Sequence, residues 1–173
     1  VYLENGFLKS KKIFSTPKDP SQAILELLFQ LPKQNIKTLI HGSTVGTNTF
    51  LERKGAKIAF ITTSGFEDLL FIGRQARPKL YDFFVEKPRP IVLKENCLGV
   101  NERIGSKGEI IKSLDSLEIE RILKRLKENS VESVAICLIN SYLNSCHELK
   151  LKKEILQLGL PISISSEILP EFR

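Results

Sequence analysis

Residues 131–139, Val131-Glu132-Ser133-Val134-Ala135-Ile136-Cys137-Leu138-Ile139, form a nearly continuous apolar run. A run this short reads as a strand buried on both faces of a sheet, which requires helices above and below it. The flanking sequence supplies them. Asp115-Ser116-Leu117-Glu118 is a capping box, and the helix it opens carries Leu117, Ile119, Ile122, Leu123 and Leu126. Downstream, Asn144 caps a helix containing Leu149, Leu151, Ile155 and Leu158, and residues 162–164 begin a last strand.

The same alternation holds upstream. Residues 37–40 read as a short strand running into a helix through 50–54, closed by Gly55 as a left-handed cap. Residues 57–62 read as an apolar strand, and Ser64-Gly65-Phe66-Glu67 as a further capping box. At the start, residues 1–3, 7–8 and 12–14 are hairpin or edge strands. Asp19 then caps a helix with Pro20 at its first position and Gln22 completing a box; Ile24, Leu25, Leu27, Leu28 and Leu31 form its stripe, and Pro32 ends it. The Pro-rich stretch 77–90 reads as loop or lid. Residues 91–93, 97–104 and 109–111 read as antiparallel strands around a turn at 105–108. Strands alternating with helices imply right-handed βαβ crossovers. The expected fold is α/β, a mainly parallel sheet with helices on both faces plus an antiparallel strand pair. Residues 1–173 are expected to form a single α/β domain.

Composition excludes several classes. Hydrophobic residues at 42% and charged residues at 27% are globular values, not those of a disordered or fibrous chain. Three cysteines, without C-x-x-C spacing, argue against a disulfide framework or zinc site and for a reducing, cytoplasmic setting. No stretch approaches the ~18 apolar residues of a membrane span. The net charge of +6 suits phosphate or carboxylate ligands. The lysines are dispersed and few aromatics interleave with them, so no nucleic-acid partner and no membrane partner is expected.

In parallel sheets, ligands bind beyond the carboxyl ends of the strands. Here the strand ends read His41-Gly42-Ser43-Thr44, Thr62-Thr63-Ser64-Gly65, Asn140-Ser141-Tyr142-Leu143-Asn144 and Ser165-Ser166-Glu167, all rich in hydroxyls and amides. Helix capping accounts for Ser64 and Asn144. It accounts poorly for Ser43, Thr44, Thr47, Asn48 and Thr49, more polar groups than one cap uses, set between Gly42 and Gly46. That turn resembles an anion cradle at a helix start, although no Walker loop is present. His41 is either a general acid/base or a structural residue bonding a carbonyl. Arg74 and Arg77, three apart beside Gly73 and Pro78, are either an anion clamp or a solvated face. No metal-ligand cluster is legible.

The stretch His41-Gly42-Ser43-Thr44-Val45-Gly46-Thr47-Asn48-Thr49-Phe50-Leu51-Glu52-Arg53-Lys54-Gly55-Ala56 resembles the N-terminal region of the hydantoinase/oxoprolinase family, close to H-G-T-T-V-A-T-N-A-L-L-E-R-K-G-A. The resemblance continues through residues 61–68, Ile72-Gly73-Arg74-Gln75, Arg77-Pro78, Leu80-Tyr81, Glu102-Arg103, residues 141–144, His147-Glu148 and residues 165–173. It implies part of an actin-like, ribonuclease H-like enzyme that uses ATP and Mg²⁺ to phosphorylate the oxygen of an unreactive amide or ketone. The implied function is that of the N-terminal portion of an ATP-dependent 5-oxoprolinase or hydantoinase, a hydrolase of cyclic amides. The implied partners are a small cyclic amide, the rest of its own enzyme and a second subunit of the hydantoinase B type.

On this resemblance His41 and Thr44 are the expected catalytic residues. Gly42, Ser43, Thr47, Asn48, Arg74 and Arg77 are the expected substrate- or anion-binding residues. Ser43 and Gly46 stand where the family has Thr and Ala. The family's D-x-G-G-T-x-T-D hairpin and its downstream phosphate-binding region are not in the chain, so the chain is expected to be a piece of a longer enzyme and inactive alone. An acetone-type carboxylase subunit and a non-catalytic assembly module are the rival readings.

Overall fold

The computed structural model describes residues 1–4, 6–16, 19–31, 38–75, 81, 84 and 90–172. The chain divides into two compact units, Val1–Thr44 and Val45–Arg173.

In the first unit, β1 (Tyr2–Glu4) and β2 (Phe7–Lys9) pair as an antiparallel hairpin, with Gly6 at φ +81° in its turn. Residues 12–14 form no strand. Helix α1 (Pro20–Phe29) starts as its sequence dictates: Asp19 caps it by accepting from the Ser21 N–H at 3.1 Å, and Pro20 takes the first position. Ala23, Ile24, Leu27, Leu28 and Leu31 are its half-buried positions, whereas Leu25 is exposed, one residue off the helical stripe. The strand expected at 37–40 does not form over its described part: residues 38–40 are irregular and exposed. Their run is too short to bury a side without a ladder partner.

The second unit opens with α2 (Val45–Leu51), earlier than the periodicity implies. It ends in a Schellman turn, Lys54 N–H to Thr49 C=O at 3.1 Å and Arg53 N–H to Phe50 C=O at 3.3 Å. The left-handed residue is therefore Arg53 (φ +57°) and not Gly55. Strand β3 (Ile58–Thr63) follows, then the short α3 (Leu69–Ile72), β4 (Cys97–Val100), the hairpin β5 (Arg103–Ile104) and β6 (Ile110–Lys112), α4 (Ser116–Glu128), β7 (Ser133–Cys137), α5 (Cys146–Leu156), β8 (Ile162–Ile164) and α6 (Ser165–Ile168).

Strands run β4-β3-β7-β8, every neighbouring pair parallel. β4 was expected to be antiparallel; a crossover containing α3 reverses the chain and lays Cys97 beside Phe60 in parallel register. Within the second unit, β5 and β6 pair antiparallel, around a turn in which Gly108 (φ +82°) donates to Gly105 C=O. Residues 91–93 form a bend, not a strand.

One sheet face carries Ala59, Ile61, Leu98, Val100, Val134, Ile136 and Ile164, packed against Ile119, Ile122 and Leu126 of α4 and Leu151 and Ile155 of α5. Leu117 and Leu149 point away from it. The other face is smaller: Phe60, Cys97 and Val92 with Phe71 of α3. It stops short of β8, so Ala135 is only half-buried and Cys137 and Ser163 are exposed; β7 is fully covered on one face rather than two. This is the expected α/β layering, with α4 and α5 on one side and α3 on the other. No described helix is long and apolar enough to cross a membrane.

Candidate functional site

Parallel pairing brings the carboxyl ends of β3, β4, β7 and β8 to one edge of the sheet. Thr63, the last residue of β3, lies beside Val100, the last of β4. There β4 breaks: the Val100 C=O accepts both Ser64 N–H (2.8 Å) and Glu102 N–H (2.9 Å), a tight turn that folds the Glu102 side chain back under the strand tips. Glu102 is 3% exposed. One of its carboxylate oxygens accepts the Thr63 hydroxyl, and the other stands 2.6 Å from Nδ1 of His147, itself 5% exposed near the start of α5. The Thr63 hydroxyl also accepts the Ile139 N–H at 3.0 Å, just beyond β7. The β3 end and α5 thus meet on the Glu102 carboxylate, with the β7 end joined to it through the Thr63 hydroxyl.

A second carboxylate sits next in sequence. Glu148 is 0% exposed, and all its hydrogen bonds come from the β7 and β8 ends. Leu138 N–H (3.0 Å) and the Ser165 hydroxyl (2.7 Å) donate to Oε1; Ser166 N–H (3.0 Å) and hydroxyl (2.6 Å) donate to Oε2. Because Ser165 spends its proton on Glu148, the Ser141 hydroxyl donates in the 2.9 Å Ser141–Ser165 contact. A buried carboxylate without such donors costs several kcal/mol, roughly, so this convergence is what lets Glu148 remain inside. No buried side-chain nitrogen or oxygen among the described residues lacks a partner.

Two asparagines fix the loop beside this edge. Asn140, at φ +59°, donates from Nδ2 to Ile104 C=O at 3.0 Å. Asn144 donates to Gly108 C=O at 2.9 Å and accepts from Cys146 N–H at 3.2 Å, capping α5 from one residue before its cap position. At the β4 end, Arg121 donates to Gly99 C=O at 2.5 Å and to Glu118, whose other donor is Asn101 N–H at 3.2 Å. The Arg121 guanidinium holds the Glu118 carboxyl below its usual range. Burial pushes the Cys97 thiol up, away from thiolate reactivity.

Two capping-box expectations are corrected. Glu67 turns to Gly65 N–H at 2.8 Å instead of Ser64, and α3 begins beyond it. Asp115 does cap α4, accepting Glu118 N–H at 2.8 Å, but the Glu118 carboxylate goes to Arg121 and Asn101.

Of the hydroxyl-rich strand ends read from sequence, Thr63 joins the Glu102 network and Ser141, Ser165 and Ser166 the Glu148 network, while Glu167 turns to Lys152 at 2.5 Å. His41, Gly42, Ser43 and Thr44 lie in exposed irregular backbone. Thr47 and Asn48 are exposed on α2, and Arg74 is exposed in the turn after α3. Arg77 lies outside the described residues.

Glu102, His147 and Glu148 carry the site, and sequence reasoning gave them no role. Their signal was present: His147 and Glu148 stand four and three residues before Leu151, at core-facing helical positions where polar residues are not expected. Both oxygens of each glutamate are engaged by protein groups, and no cluster of His, Cys, Asp and Glu among the described residues is placed to hold a metal ion. These carboxylates therefore do not fit a Mg²⁺ site.

The model of the hydantoinase/oxoprolinase N-terminal region matches residues 1–159. An uncharacterized protein of Methanocaldococcus jannaschii is 39% identical over 169 residues, covering 94% of this chain and 25% of that protein. The 5-oxoprolinase 1 of Arabidopsis thaliana is 35% identical over 164 residues, covering 83% of this chain and 13% of that one. Among solved structures, the ATP-dependent caprolactamase from Pseudomonas jessenii superposes with a TM-score of 0.79 at 26% identity, over 92% of this chain and 25% of that one. The chain spans a quarter or less of the length of these relatives. With 159 of its 173 residues matched in one stretch, and the parallel sheet shared with a solved relative, the chain belongs to the hydantoinase/oxoprolinase family, of which it forms the N-terminal region.

Proposed function

We propose that the chain is the N-terminal portion of an ATP-dependent amidase that opens a cyclic amide, with 5-oxoproline or a hydantoin as the substrate class. Residues 1–173 would then be part of the N-terminal domain of a longer enzyme, inactive alone and assembled with a second subunit of the hydantoinase B type. The observation that carries this reading is the convergence of Thr63, Glu102 and His147 at the carboxyl edge of a parallel sheet, where such folds bind ligands. The family match and the likeness to 5-oxoprolinase 1 support the substrate class.

In the full-length enzyme, ATP with Mg²⁺ would supply the phosphoryl group that makes the amide carbon susceptible to water. The described residues offer no cage for that metal. The chain's own contribution is positioning and hydrogen bonding. His41 and Thr44 are the proposed catalytic pair; Gly42, Ser43, Thr47 and Asn48 are the proposed cradle for developing negative charge, with Arg74 and Arg77 as anion clamps. The exposure of His41, Gly42, Thr44, Thr47, Asn48 and Arg74 supports that role.

The test uses the full-length protein with ATP and, in turn, 5-oxoproline, hydantoin and caprolactam, following phosphate release and ring-opened product. ATP-dependent ring opening supports the reading. Turnover that requires bicarbonate and a ketone would move the assignment to a carboxylase, and none of these reactions would remove it.

A further inference from the structure

His147 is one of two histidines in the chain, and its ring is held at one end only. Nδ1 is engaged by Glu102; Nε2 has no partner among the described residues. Since no described buried polar side-chain atom is left unpaired, Nε2 is not completely sealed from solvent. A carboxylate at Nδ1 selects the tautomer with its proton there, leaving the Nε2 lone pair outward. The carboxylate is itself immobilised by the Thr63 hydroxyl, which is fixed by Ile139 N–H. Glu148 turns to Ser165 and Ser166, Lys150 to the Leu114 carbonyl, and Arg103 stacks on Phe66, so Glu102 is the charged group placed on the ring.

A histidine serving only to fill the core would be better replaced by Leu, as at the neighbouring inward position Leu151. A buried charge pair is a poor source of stability in itself. The chain Thr63–Glu102–His147 instead has the arrangement of a positioned base: an orienting carboxylate, a fixed tautomer, and one free nitrogen at the edge of a parallel sheet.

We propose that His147 is the proton acceptor for the water that opens the substrate, with Glu102 and Thr63 as its positioning residues. This rests on the functional reading above. In the step, Nε2 takes a proton from water as the water oxygen bonds to the phosphorylated amide's carbon; the imidazolium so formed is balanced by Glu102, the C–N bond breaks as the proton passes to the departing ring nitrogen, and the acyl phosphate left behind is released by a second water as carboxylate and inorganic phosphate.

The test separates anchoring from proton transfer. In His147→Asn, the side-chain amide nitrogen replaces Nδ1 and keeps the bond to Glu102, while nothing replaces Nε2. In the full-length enzyme this variant is expected to keep wild-type thermal stability and KM while kcat falls about 100-fold or more. Wild-type kcat in His147→Asn overturns the proposal. Should that variant not fold, native acylation decides. Diethyl pyrocarbonate should modify His147 in the folded full-length protein, read by peptide mass; a His147 that reacts only after denaturation overturns the proposal. Wild-type enzyme that opens no amide overturns the functional reading and this role with it. Acylation in the same sample then shows whether the presentation of Nε2 is also wrong.

Discussion

Ser166 grips Glu148 twice, with its backbone N–H at 3.0 Å and its hydroxyl at 2.6 Å, both on the same carboxylate oxygen. This pair ties the end of β8 to α5, and Leu138 N–H ties the same carboxylate to β7. The edge where a ligand would sit is thus locked before any ligand arrives.

Glu148→Gln should therefore be costly despite being nearly isosteric. An amide nitrogen cannot accept, so one set of donors, on Ser166 or on Leu138 and Ser165, loses its partner inside the protein. Each stranded buried donor costs about 1–3 kcal/mol. Urea unfolding is expected to show a loss of about 2–4 kcal/mol, and a loss under ~0.5 kcal/mol would mean that the network is not formed.

Gly99 lies in close approach to the Glu67 carboxylate and the Ser64 backbone. A Cβ there would lie 1.8 Å from Glu67 Oε1 and 3.1 Å from Ser64 Cα. Gly99→Ala should destabilise by about 1–3 kcal/mol, as overpacking does. In a Glu67→Ala background most of that cost should vanish, because the flexible carboxylate is the main obstacle. A double-mutant cycle with no coupling would contradict the contact.

Acid should weaken the β4–α4 contact. Arg121 holds the Glu118 carboxyl below its ordinary value of 4.5, so ionised Glu118 favours the folded state above that pH. Its contribution is expected to be constant from neutral pH to about 4.5 and to fade as pH falls through the lower folded value. Arg121 is half exposed, which limits the effect to under about 1 kcal/mol. Glu118→Gln should remove this acid limb; an unchanged stability–pH curve would count against the pair.

His41 is exposed, in irregular backbone. His41→Ala in the full-length enzyme should lower kcat at least about tenfold while leaving the melting temperature within a degree or two. Wild-type turnover would remove His41 from the mechanism.

The layering was legible because its cues are local. The cap at Asp19, the cap at Asp115 and the apolar run through Val134 and Ile136 all appear where the sequence puts them. What was not legible depends on neighbours distant in the chain. The direction of β4 is decided by the crossover that sets Cys97 beside Phe60, and no periodicity encodes that. Leu25 and Leu117 are apolar but fall off their helical stripes, which makes stripe membership a matter of angle rather than residue type. For the site, hydroxyls at strand ends were visible as a class, and Thr63, Ser165 and Ser166 do converge. Of the groups they converge on, Glu148 was marked only by its core-facing position before Leu151, and Glu102 was hidden because a buried carboxylate outside a helix is recognised only by its donors, which come from other strands.

The proposed function requires that the substrate's own carbonyl oxygen be phosphorylated before water opens the ring. Full-length enzyme turning over 5-oxoproline labelled with ¹⁸O at the ring carbonyl tests it most directly. If the claim holds, mass spectrometry finds the label in the released inorganic phosphate, in step with ring opening. Unlabelled phosphate accompanying the same ring opening would contradict it.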